Sequence, residues 1–418
     1  MWKLAWRQLL RNRTRTLITG SAIALAVAMF LMSLALGDGM YGKMMEAAER
    51  SAGGGVLIHH DGWWKGRESD GFVADPARVV AAAESVRDVR GVAARVILEG
   101  VLTSASNDGF APGDVRGVDP EAERPFNDLS RFLERGTFLT DDDPRAIVLG
   151  EKLADDLSVD LGDRVVLRFT NARAEGDQAV YILRGVVATG SDEVDRQVAL
   201  VRLATAQKDA GLGAGVTQIG VRGPADLPLE TLKAEVRTAL QGTDGQGAAG
   251  LEVLTWREAM PELVGFIEMD GNMNVLFALV IFVIVAFGIA NTFLMSVMER
   301  VRELGLLSAL GVTPARVGGL VLRETVLLAL LAMSLGFGLA LAGHGYLATH
   351  GLDYSQFIGG DMDISGVILD DLMIYTKLDP TRWIGSAVAV FVMILLSSLY
   401  PAWRATRLDP SQAMRTYE

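Results

Sequence analysis

The sequence contains no cysteine, and this absence removes several classes of protein at once. Without thiols the chain has no disulfide framework, no CxxC metal site and no cysteine nucleophile. Histidine is scarce as well, with 4 in 418 residues. The adjacent pair His59–His60 would point to opposite faces of a strand, so it does not predict a metal site. We expect the chain to bind no metal.

A phosphate-binding loop is also missing. Residues 37–43 have the spacing G-x-x-x-x-G-K, but Met44 stands where the pattern needs Ser or Thr. A long apolar run precedes them, where a phosphate loop would follow a buried strand. We therefore expect no ATP hydrolysis and no cofactor in this chain, which is predicted not to be an enzyme. The sequence also lacks a basic, aromatic-interleaved patch of the kind that binds nucleic acid.

Long apolar runs dominate what is present. Half of the residues are hydrophobic and the mean hydropathy is +0.29. A bilayer span needs about 20 mostly apolar residues. Four stretches qualify: residues 17–37, 275–297, 320–343 and 383–400. The chain is therefore predicted to place one membrane span before a long polar region and three after it.

The distribution of charge predicts the orientation of these spans. The net charge is −12, yet residues 38–270 hold 40 acids and 25 bases and so carry −15. Basic residues flank the spans elsewhere: Lys3, Arg7, Arg11, Arg13, Arg15, Arg300, Arg302, Arg316, Arg323, Arg404, Arg407 and Arg415. Because Lys and Arg near span ends favour the cytoplasm, we expect both termini to be cytoplasmic and residues 38–270 to be external.

The external region shows two strand–helix–strand patterns around an insertion. The first pattern covers residues 56–105 and the second residues 216–270, which predicts one split α+β subdomain of two layers. Between them, residues 106–215 are rich in predicted strands. The predicted fold class is therefore a membrane α-helical protein with four spans in 1+3 order and a large α+β external domain.

The remaining segments are short. The predicted boundaries are an interfacial elbow helix at residues 1–16, a connector helix and turn at 298–319, an external loop at 344–382 and a tail at 401–418. In the elbow, Trp2, Trp6 and Leu9 share one helical face, a pattern typical of a helix in the membrane interface.

The connector is the most informative of these segments. Val297, Val301, Leu304 and Ser308 share one helical face, and Glu299, Arg300, Arg302 and Glu303 crowd the other side. Gly311 is predicted to end the helix, and Thr313–Pro314 to begin the next one. A charged helix between two spans lies at the surface, where it is either a docking element for a partner or a solvated loop.

Methionines recur near the outer ends of the first two spans. Met40, Met44, Met269 and Met273 are hypothesised to face lipid substrate at an opening between these spans, because thioether side chains accept varied apolar ligands. Ordinary packing is the alternative interpretation.

Three motifs resemble those of the type VII ABC transporter permeases, the FtsX/MacB/LolC–LolE superfamily. They are MERVRELGLLSALGVTPARVGGLVLRE at 298–324, YPAWRATRLDPSQAMR at 400–415 and IVLGEKLADDLSVDLGDRVVL at 147–167. The resemblance implies a split porter-like external subdomain with a β-rich insertion. It also implies that the connector is a coupling helix for a separate ATPase, with Glu299, Arg300, Arg302, Glu303, Leu304 and Gly305 at the matching positions.

The same resemblance implies partners and a mechanism. Two copies of a cytoplasmic ABC ATPase would bind ATP and Mg²⁺, and the permease would pair with a second copy or a paralogue in the bacterial inner membrane. ATP-driven closure of the spans would move the periplasmic domains, a process called mechanotransmission.

The length and the ending MRTYE are similar to those of the lipoprotein-releasing (LolC/LolE-like) permeases, which implies a lipoprotein substrate, a periplasmic carrier and contact with membrane lipids. Two alternatives remain: MacB-like efflux of a periplasmic peptide, antibiotic or toxin, and an FtsX-like signalling scaffold that controls a cell-wall hydrolase.

Overall fold

The protein is described by a computed structural model that covers residues 2–11, 13–66, 71–106, 109–224, 227–242, 250–354, 362–364, 367–369 and 373–407. The chain forms two compact units. The helical unit comprises residues 1–42, 267–353 and 373–418, and the α/β unit comprises residues 43–266 and 354–372. Of the predicted tail, residues 408–418 with Arg415 lie outside the described residues.

The helices alternate with short strands over most of the chain. In chain order the α-helices are α1 (Trp2–Arg11), α2 (Arg13–Ala52), α3 (Trp63–Gly66), α4 (Pro76–Glu84), α5 (Pro120–Glu123), α6 (Glu151–Asp156), α7 (Asp192–Gln197), α8 (Leu203–Ala210), α9 (Leu229–Gly242), α10 (Trp256–Ala259), α11 (Pro261–Glu299), α12 (Val301–Ala309), α13 (Pro314–His350) and α14 (Pro380–Thr406). A 3₁₀ turn covers Leu129–Phe132.

The strands belong mostly to the α/β unit. They are β1 (Val56–His60), β2 (Gly91–Ser104), β3 (Phe110–Val118), β4 (Leu133–Gly136), β5 (Ala146–Gly150), β6 (Arg164–Thr170), β7 (Gly176–Val187), β8 (Ala199–Arg202), β9 (Gln218–Arg222), β10 (Leu251–Thr255), β11 (Leu352–Asp353), β12 (Met362–Ile364), β13 (Val367–Leu369) and β14 (Met373–Ile374). Of these, β11 pairs with β14 and β12 with β13.

Local sequence rules account for several helix ends. The carboxylate of Asp75 accepts the Arg78 amide and Pro76 occupies the first helical position of α4. Thr255 and Glu258 form a reciprocal capping box at α10. Asp379 caps α14 by accepting the amides of the second and third residues that follow it. These residues fix where each helix begins without help from distant packing.

The split subdomain predicted from the sequence is present in the α/β unit. Its sheet has the order β10-β1-β9-β2, and each neighbouring pair is antiparallel. Helices α4 and α9 pack together and against these strands. Because β9 lies between β1 and β2, and β1 between β9 and β10, the two strand–helix–strand patterns interlock as a split βαβ fold of two layers.

The β-rich insertion closes into a barrel. Strands pair in the cycle β2-β3-β8-β5-β7-β6 and back to β2. Its interior is filled by aliphatic side chains such as Leu102, Leu149, Leu167 and Leu183, all fully buried. Closure removes sheet edges, which would otherwise expose unpaired backbone groups.

Strand β2 belongs to both subdomains. Residues 91–95 pair with β9 in the split sheet, and residues 96–104 pair with β3 and β6 in the barrel. The predicted boundary at residues 105 and 106 is therefore too late, because the division runs through the middle of one continuous strand. The sequence pattern of a long strand gave no sign that its two halves have different neighbours.

The helical unit has its own apolar core. Side chains from α1, α2, α11, α13 and α14 form one buried cluster, in which Leu31, Leu328, Trp383 and Ile394 are almost fully buried. Gly336 permits a close approach of α13 to α2, because a Cβ there would lie 2.6 Å from the Ala24 carbonyl oxygen.

Among the described residues, four helices are long and apolar enough to cross a membrane: residues 16–52 of α2, and α11, α13 and α14. Each contains one predicted span and extends beyond it. Residues 37–43 lie within α2, which excludes the phosphate loop already rejected from the sequence. The two histidines of β1 differ as predicted: His59 is buried and stacks on Trp63, with ring centroids 4.8 Å apart, whereas His60 is exposed.

We predict that Arg95 is essential for the stability of the α/β unit. This buried side chain donates two 2.8 Å hydrogen bonds to the Glu123 carboxylate, donates to the Gly53 carbonyl and lies 4.7 Å from the Phe126 ring centroid. Arg95→Ala should lower the free energy of unfolding by about 3–5 kcal/mol, since it leaves a largely buried carboxylate without its guanidinium.

Urea unfolding of the full chain measures this difference. The control is Arg90→Ala, because Arg90 is an exposed residue directly before β2 and its truncation should cost less than about 0.5 kcal/mol. Equal losses in the two variants would contradict the role assigned to Arg95.

Candidate functional site

The helix end and the helix start that the sequence predicted in the connector between α11 and α13 are both present. Gly311 has φ +89°, and the Val312 amide donates to the Leu307 carbonyl at 3.1 Å, which is the closing bond of a Schellman motif. Thr313 is the N-cap of α13 in an extended conformation, and Pro314 follows at N1. These local signals explain why α12 stops at Ala309 and a new helix starts after a short turn.

The apolar face of the connector is buried in the helical unit. Val297 and Leu304 belong to its core, and Val301 is half-buried. The side chain of Ser308 is outside the described part of the structure. Leu304 and Gly305 were expected to contact an ATPase, but both are buried within this chain. That expectation is corrected: they attach the connector to its own spans.

Arg300 also differs from its predicted position. It was placed on the water-facing side of the connector, but only 8% of its surface is exposed. The residue lies between α11 and α12, and its Nη1 donates to both carboxylate oxygens of Glu324 at 3.1 Å. Glu324, on α13, is only 4% exposed. The helical period of the connector could not reveal this partner, which lies 24 residues later in the chain.

The Arg300–Glu324 pair is the inner end of a charge chain. Arg300 Nε donates to Glu303 at 3.2 Å, and the other carboxylate oxygen of Glu303 accepts from Arg11 of the elbow helix α1. Two cations alternate with two anions, so the chain is neutral. It joins α1, α12 and α13. We call these four residues, Arg11, Glu303, Arg300 and Glu324, the connector clasp.

The electrostatics of the clasp favour the charged form of Glu303. The hydrogen bond from Arg11 is the largest cause that lowers the pKa of Glu303 below its ordinary 4.5, and burial acts in the opposite direction. Hydrogen bonding and Coulomb attraction from Arg300 lower it further. Glu303 therefore remains a carboxylate at neutral pH.

A small polar cavity adjoins the clasp inside the helical unit. Its volume is about 20 Å³, enough for one water molecule. Its polar lining comes from Gln8, Thr16, Thr19, Thr292, Ser296 and Glu324. Of these residues, Ser296 is buried, and the Thr292 hydroxyl donates to the Gly288 carbonyl at 2.8 Å. Asn291, the residue before Thr292, is exposed.

The water-facing side of the connector combines charge with apolar surface. Glu299 and Arg302 are exposed, as predicted. Leu306 is 54% exposed and Leu310 is 75% exposed. Neither leucine was identified from the sequence, although their spacing of four residues places them on one helical side. These four residues form the exposed connector face.

The four methionines that were hypothesised to face lipid substrate differ in their exposure. Met269 and Met273 of α11 are exposed and Met40 of α2 is half-buried. Met44 is 1% exposed, so it cannot face lipid substrate in this structure. The correction has a simple reason: the side of α2 that carries Met44 also carries Ala47 and Ala48, and all three are buried.

Among the described residues, no group of three or more His, Asp or Glu side chains could hold a metal ion. The described connector and clasp residues offer charge pairing and a helical surface, and no arrangement of a nucleophile with a base. Their geometry fits mechanical attachment rather than covalent chemistry.

Two family models match this chain. A family model described as the FtsX-like permease C-terminal region matches residues 275–410. A second model, the MacB-like periplasmic core domain, matches residues 16–239, which is more than half of the chain. The first match contains the whole connector, and the second contains most of the α/β unit.

Curated relatives match at low identity over most of the chain. The lipoprotein-releasing system transmembrane protein LolC of Xylella fastidiosa is 24% identical over 353 residues, which cover 82% of this chain and 81% of that protein. LolC of Neisseria meningitidis serogroup B is 24% identical over 420 residues, 96% of this chain and 94% of its own. The macrolide export ATP-binding/permease protein MacB of Hyphomonas neptunium is 24% identical over 434 residues, 99% of this chain but 60% of its own.

We predict that Arg300 and Arg302 have very different effects on stability, although they lie two residues apart. Arg300→Ala removes the guanidinium from a buried carboxylate and should cost about 3–5 kcal/mol, whereas Arg302→Ala changes an exposed side chain and should cost less than about 0.5 kcal/mol. Thermal unfolding of the full chain in lipid nanodiscs compares them.

A compensating variant tests the cause of the loss. Arg300→Met combined with Glu324→Leu removes both charges, so it should recover most of the stability that Arg300→Ala loses. A double variant that is less stable than either single variant would show that the ion pair itself is not the reason.

The pH dependence of the clasp follows from the lowered pKa of Glu303. Because the pKa of Glu303 is lower in the folded protein than its ordinary value of 4.5, the carboxylate contributes to the free energy of unfolding. This contribution is complete above pH 4.5 and is lost as the pH falls through the pKa of the folded protein. Hydrogen exchange of α12, corrected for intrinsic rates, should therefore accelerate when the pH is lowered from 6 to below about 4. Glu303→Gln should exchange rapidly at both pH values; a variant that retains the wild-type pH response would contradict this assignment.

Proposed function

Since this chain belongs to the FtsX/MacB/LolC family of ABC transporter permeases, we propose that it extracts lipoproteins from the inner membrane by mechanotransmission. The 24% identity to two LolC proteins, over 82% and 96% of this chain, supports the choice of substrate class. ATP hydrolysis would occur in a separate cytoplasmic ATPase, which would supply the nucleotide and Mg²⁺. The permease would act as a pair, with a second copy or a paralogue.

The exposed connector face is the proposed docking surface for the ATPase. Leu306 and Leu310 would enter an apolar groove, and Glu299 and Arg302 would pair with charges at its rim, which is the usual anatomy of a helix-in-groove contact. Lys and Arg near the span ends support a cytoplasmic position for this face, for α1 and for the tail. The α/β unit would then lie in the periplasm.

The connector clasp is the proposed path of force within the helical unit. A displacement of α12 by the ATPase would act on α13 through Arg300 and Glu324. It would act on α1 through Glu303 and Arg11. Because breaking the buried Arg300–Glu324 pair costs several kcal/mol, α12 and α13 should move together rather than separate. The Arg11–Glu303 pair is exposed, so it adds a weaker link to α1. This contact set is the single observation that supports mechanical coupling.

The proposed lipid-facing residues are Met269 and Met273 of α11, together with the half-buried Met40 of α2 in the same helical unit. Flexible thioethers at an exposed surface suit acyl chains of varied shape. The lipid-modified end of a lipoprotein would contact this surface before a periplasmic carrier receives it.

Depletion of the protein in its native cell tests the substrate class. We expect lipoproteins to accumulate in the inner-membrane fraction, as measured by membrane fractionation and mass spectrometry. MacB-like efflux is the competing function, favoured by the MacB relative that aligns with 99% of the chain. Increased sensitivity to toxic compounds with an unchanged lipoprotein distribution would establish efflux instead, and altered cell-wall hydrolysis alone would indicate FtsX-like signalling.

We predict that Leu306→Asp together with Arg302→Glu abolishes ATPase docking while the permease remains folded. Both side chains are exposed, so the changes should lower stability by less than about 1 kcal/mol yet reduce ATPase binding at least about tenfold. Co-purification with quantitative mass spectrometry measures the ATPase retained. Arg407→Glu, an exposed charge reversal at the end of α14, is the matched control; equal retention in all variants would refute the docking surface.

We predict that Met269→Ser together with Met273→Ser weakens photocrosslinking to acylated lipoprotein. Met295→Ser is the matched control, because Met295 is exposed on the same helix near the other end. Met44→Ser should instead lower stability, since it places a hydroxyl in a buried apolar site. Crosslinking that is unchanged in the double variant would remove these methionines from the substrate path.

A further inference from the structure

An open groove of about 560 Å³ lies along the elbow helix α1 and shares no described lining residue with the connector clasp. Its lining combines two aromatic and two cationic side chains of α1 with two leucines, one of which is on α13: Trp2, Trp6, Lys3, Arg7, Leu4 and Leu327. All six residues belong to the helical unit, and the five on α1 are exposed. The groove is therefore a surface of the helical unit that carries both apolar area and positive charge.

Other contacts attach α1 to the helical unit. Ala5 and Leu9 are buried, and Leu9 belongs to the apolar core of this unit. The guanidinium carbon of Arg323, on α13, lies 5.9 Å from the ring centroid of Trp2, which is within cation–π range. These contacts hold α1 against α13 while the side chains that line the groove stay exposed.

The cations of α1 differ in their pairing. Arg11 contacts the Glu303 carboxylate in the connector clasp. Residues 2–11 contain no Asp or Glu, and among the described residues no carboxylate forms an ion pair with Lys3 or Arg7. These two side chains are four residues apart, so they are neighbours on the surface of the helix. Their charge is available to an anion outside the chain.

The residues that follow α1 are apolar and exposed. The Thr16 hydroxyl donates to the Leu9 carbonyl at 2.9 Å, which ties the end of α1 to the start of the first span. Leu17 and Ile18 begin that span, and both are exposed. The positive charge of α1 therefore stands next to the kind of surface that acyl chains contact.

We propose that this groove binds the head group of an anionic phospholipid. Lys3 and Arg7 would pair with its phosphate oxygens, Trp6 would lie at the depth of the head groups, and Leu4 and Leu327 would contact the first part of an acyl chain. Charge complementarity favours this occupant, because a zwitterionic lipid brings its own cation to the phosphate and an anionic lipid does not. The proposal rests on the membrane-spanning helical unit and not on the lipoprotein-releasing function.

A local fluorescence measurement tests the proposal. The chain has no cysteine, so a single Leu4→Cys substitution allows a bimane label to be attached at the groove. Full-length protein is placed in phosphatidylcholine nanodiscs in which a small fraction of the lipid carries an acyl-chain nitroxide, either as phosphatidylglycerol or as phosphatidylcholine. The ratio of the two quenching efficiencies measures the local enrichment of the anionic lipid. Leu399→Cys, at an exposed position on α14, provides the control label.

We expect phosphatidylglycerol to be enriched at least about fivefold at the Leu4→Cys label and less than about twofold at the Leu399→Cys label. Inorganic phosphate at about 10 mM should leave this enrichment unchanged relative to sodium chloride of equal ionic strength, because free phosphate lacks the acyl chains. Loss of enrichment with phosphate alone would show a site for free anions. Equal quenching by the two lipids would show no selection of charge, and either result would overturn the proposal.

Paired variants locate the charge. Lys3→Gln with Arg7→Gln should reduce the enrichment at the Leu4→Cys label to less than about twofold, whereas Lys3→Arg with Arg7→Lys keeps both charges and should retain it. Arg316→Gln with Arg404→Gln is the matched control, since it removes two exposed cations elsewhere in the helical unit. All these side chains are exposed, so thermal unfolding should stay close to that of the parent.

Two results would reject the groove as a lipid site. Enrichment that survives Lys3→Gln with Arg7→Gln would place the anionic lipid elsewhere on the protein. Loss of the co-purified ATPase in this variant, with enrichment unchanged, would make the groove a contact surface for a protein. The distribution of lipoproteins in depleted cells tests the proposed function separately, so the failure of one proposal is distinguishable from the failure of the other.

Discussion

The contact between Arg300 and Glu324 constrains the helical unit more than any other polar interaction described in it. Both side chains are buried among apolar helices, where an isolated charge is very unfavourable. Their positions are therefore tied to each other, and α13 cannot shift along the connector without separating them. Leu304 and Val297 pack in the apolar core of the same unit. Such apolar contacts tolerate small displacements in a way that a buried ion pair does not.

This constraint explains why the connector has two distinct sides. One side, with Val297, Leu304 and Arg300, is used entirely within the chain. The other side, with Arg302, Leu306 and Leu310, is left exposed. A helix that was charged all round could not be attached firmly to its own spans, and one that was apolar all round would offer no selective surface. The division lets one short helix serve internal attachment and external contact together.

Sequence reasoning succeeded where the determinants are local or periodic. Gly311 and Thr313–Pro314 mark helix ends through backbone rules that act over a few residues, and the four apolar runs mark the spans by length alone. The paired strand–helix–strand patterns were sufficient to predict the split sheet. Sequence reasoning failed where the interaction partner is distant in the chain. Nothing near Arg300 indicates Glu324, and nothing in residues 91–104 indicates that β2 changes neighbouring strands halfway along.

Met44 shows the same limit for candidate sites. A methionine near a span end is equally compatible with packing and with lipid contact, and only its actual burial decides between them. The type of a residue indicates which ligands its side chain could contact. Tertiary packing determines whether that side chain is exposed to them.

The dual pairing of β2 also has a consequence for the order of folding. The partner of its first half is β9, more than a hundred residues later in the chain. During synthesis β1, α4 and the first half of β2 must therefore wait, unpaired in the split sheet, until the whole barrel has emerged. The barrel can close first and hold the second half of β2 in register, which shortens the effective loop that the split sheet must close. The insertion would then act as an internal template for the domain that surrounds it.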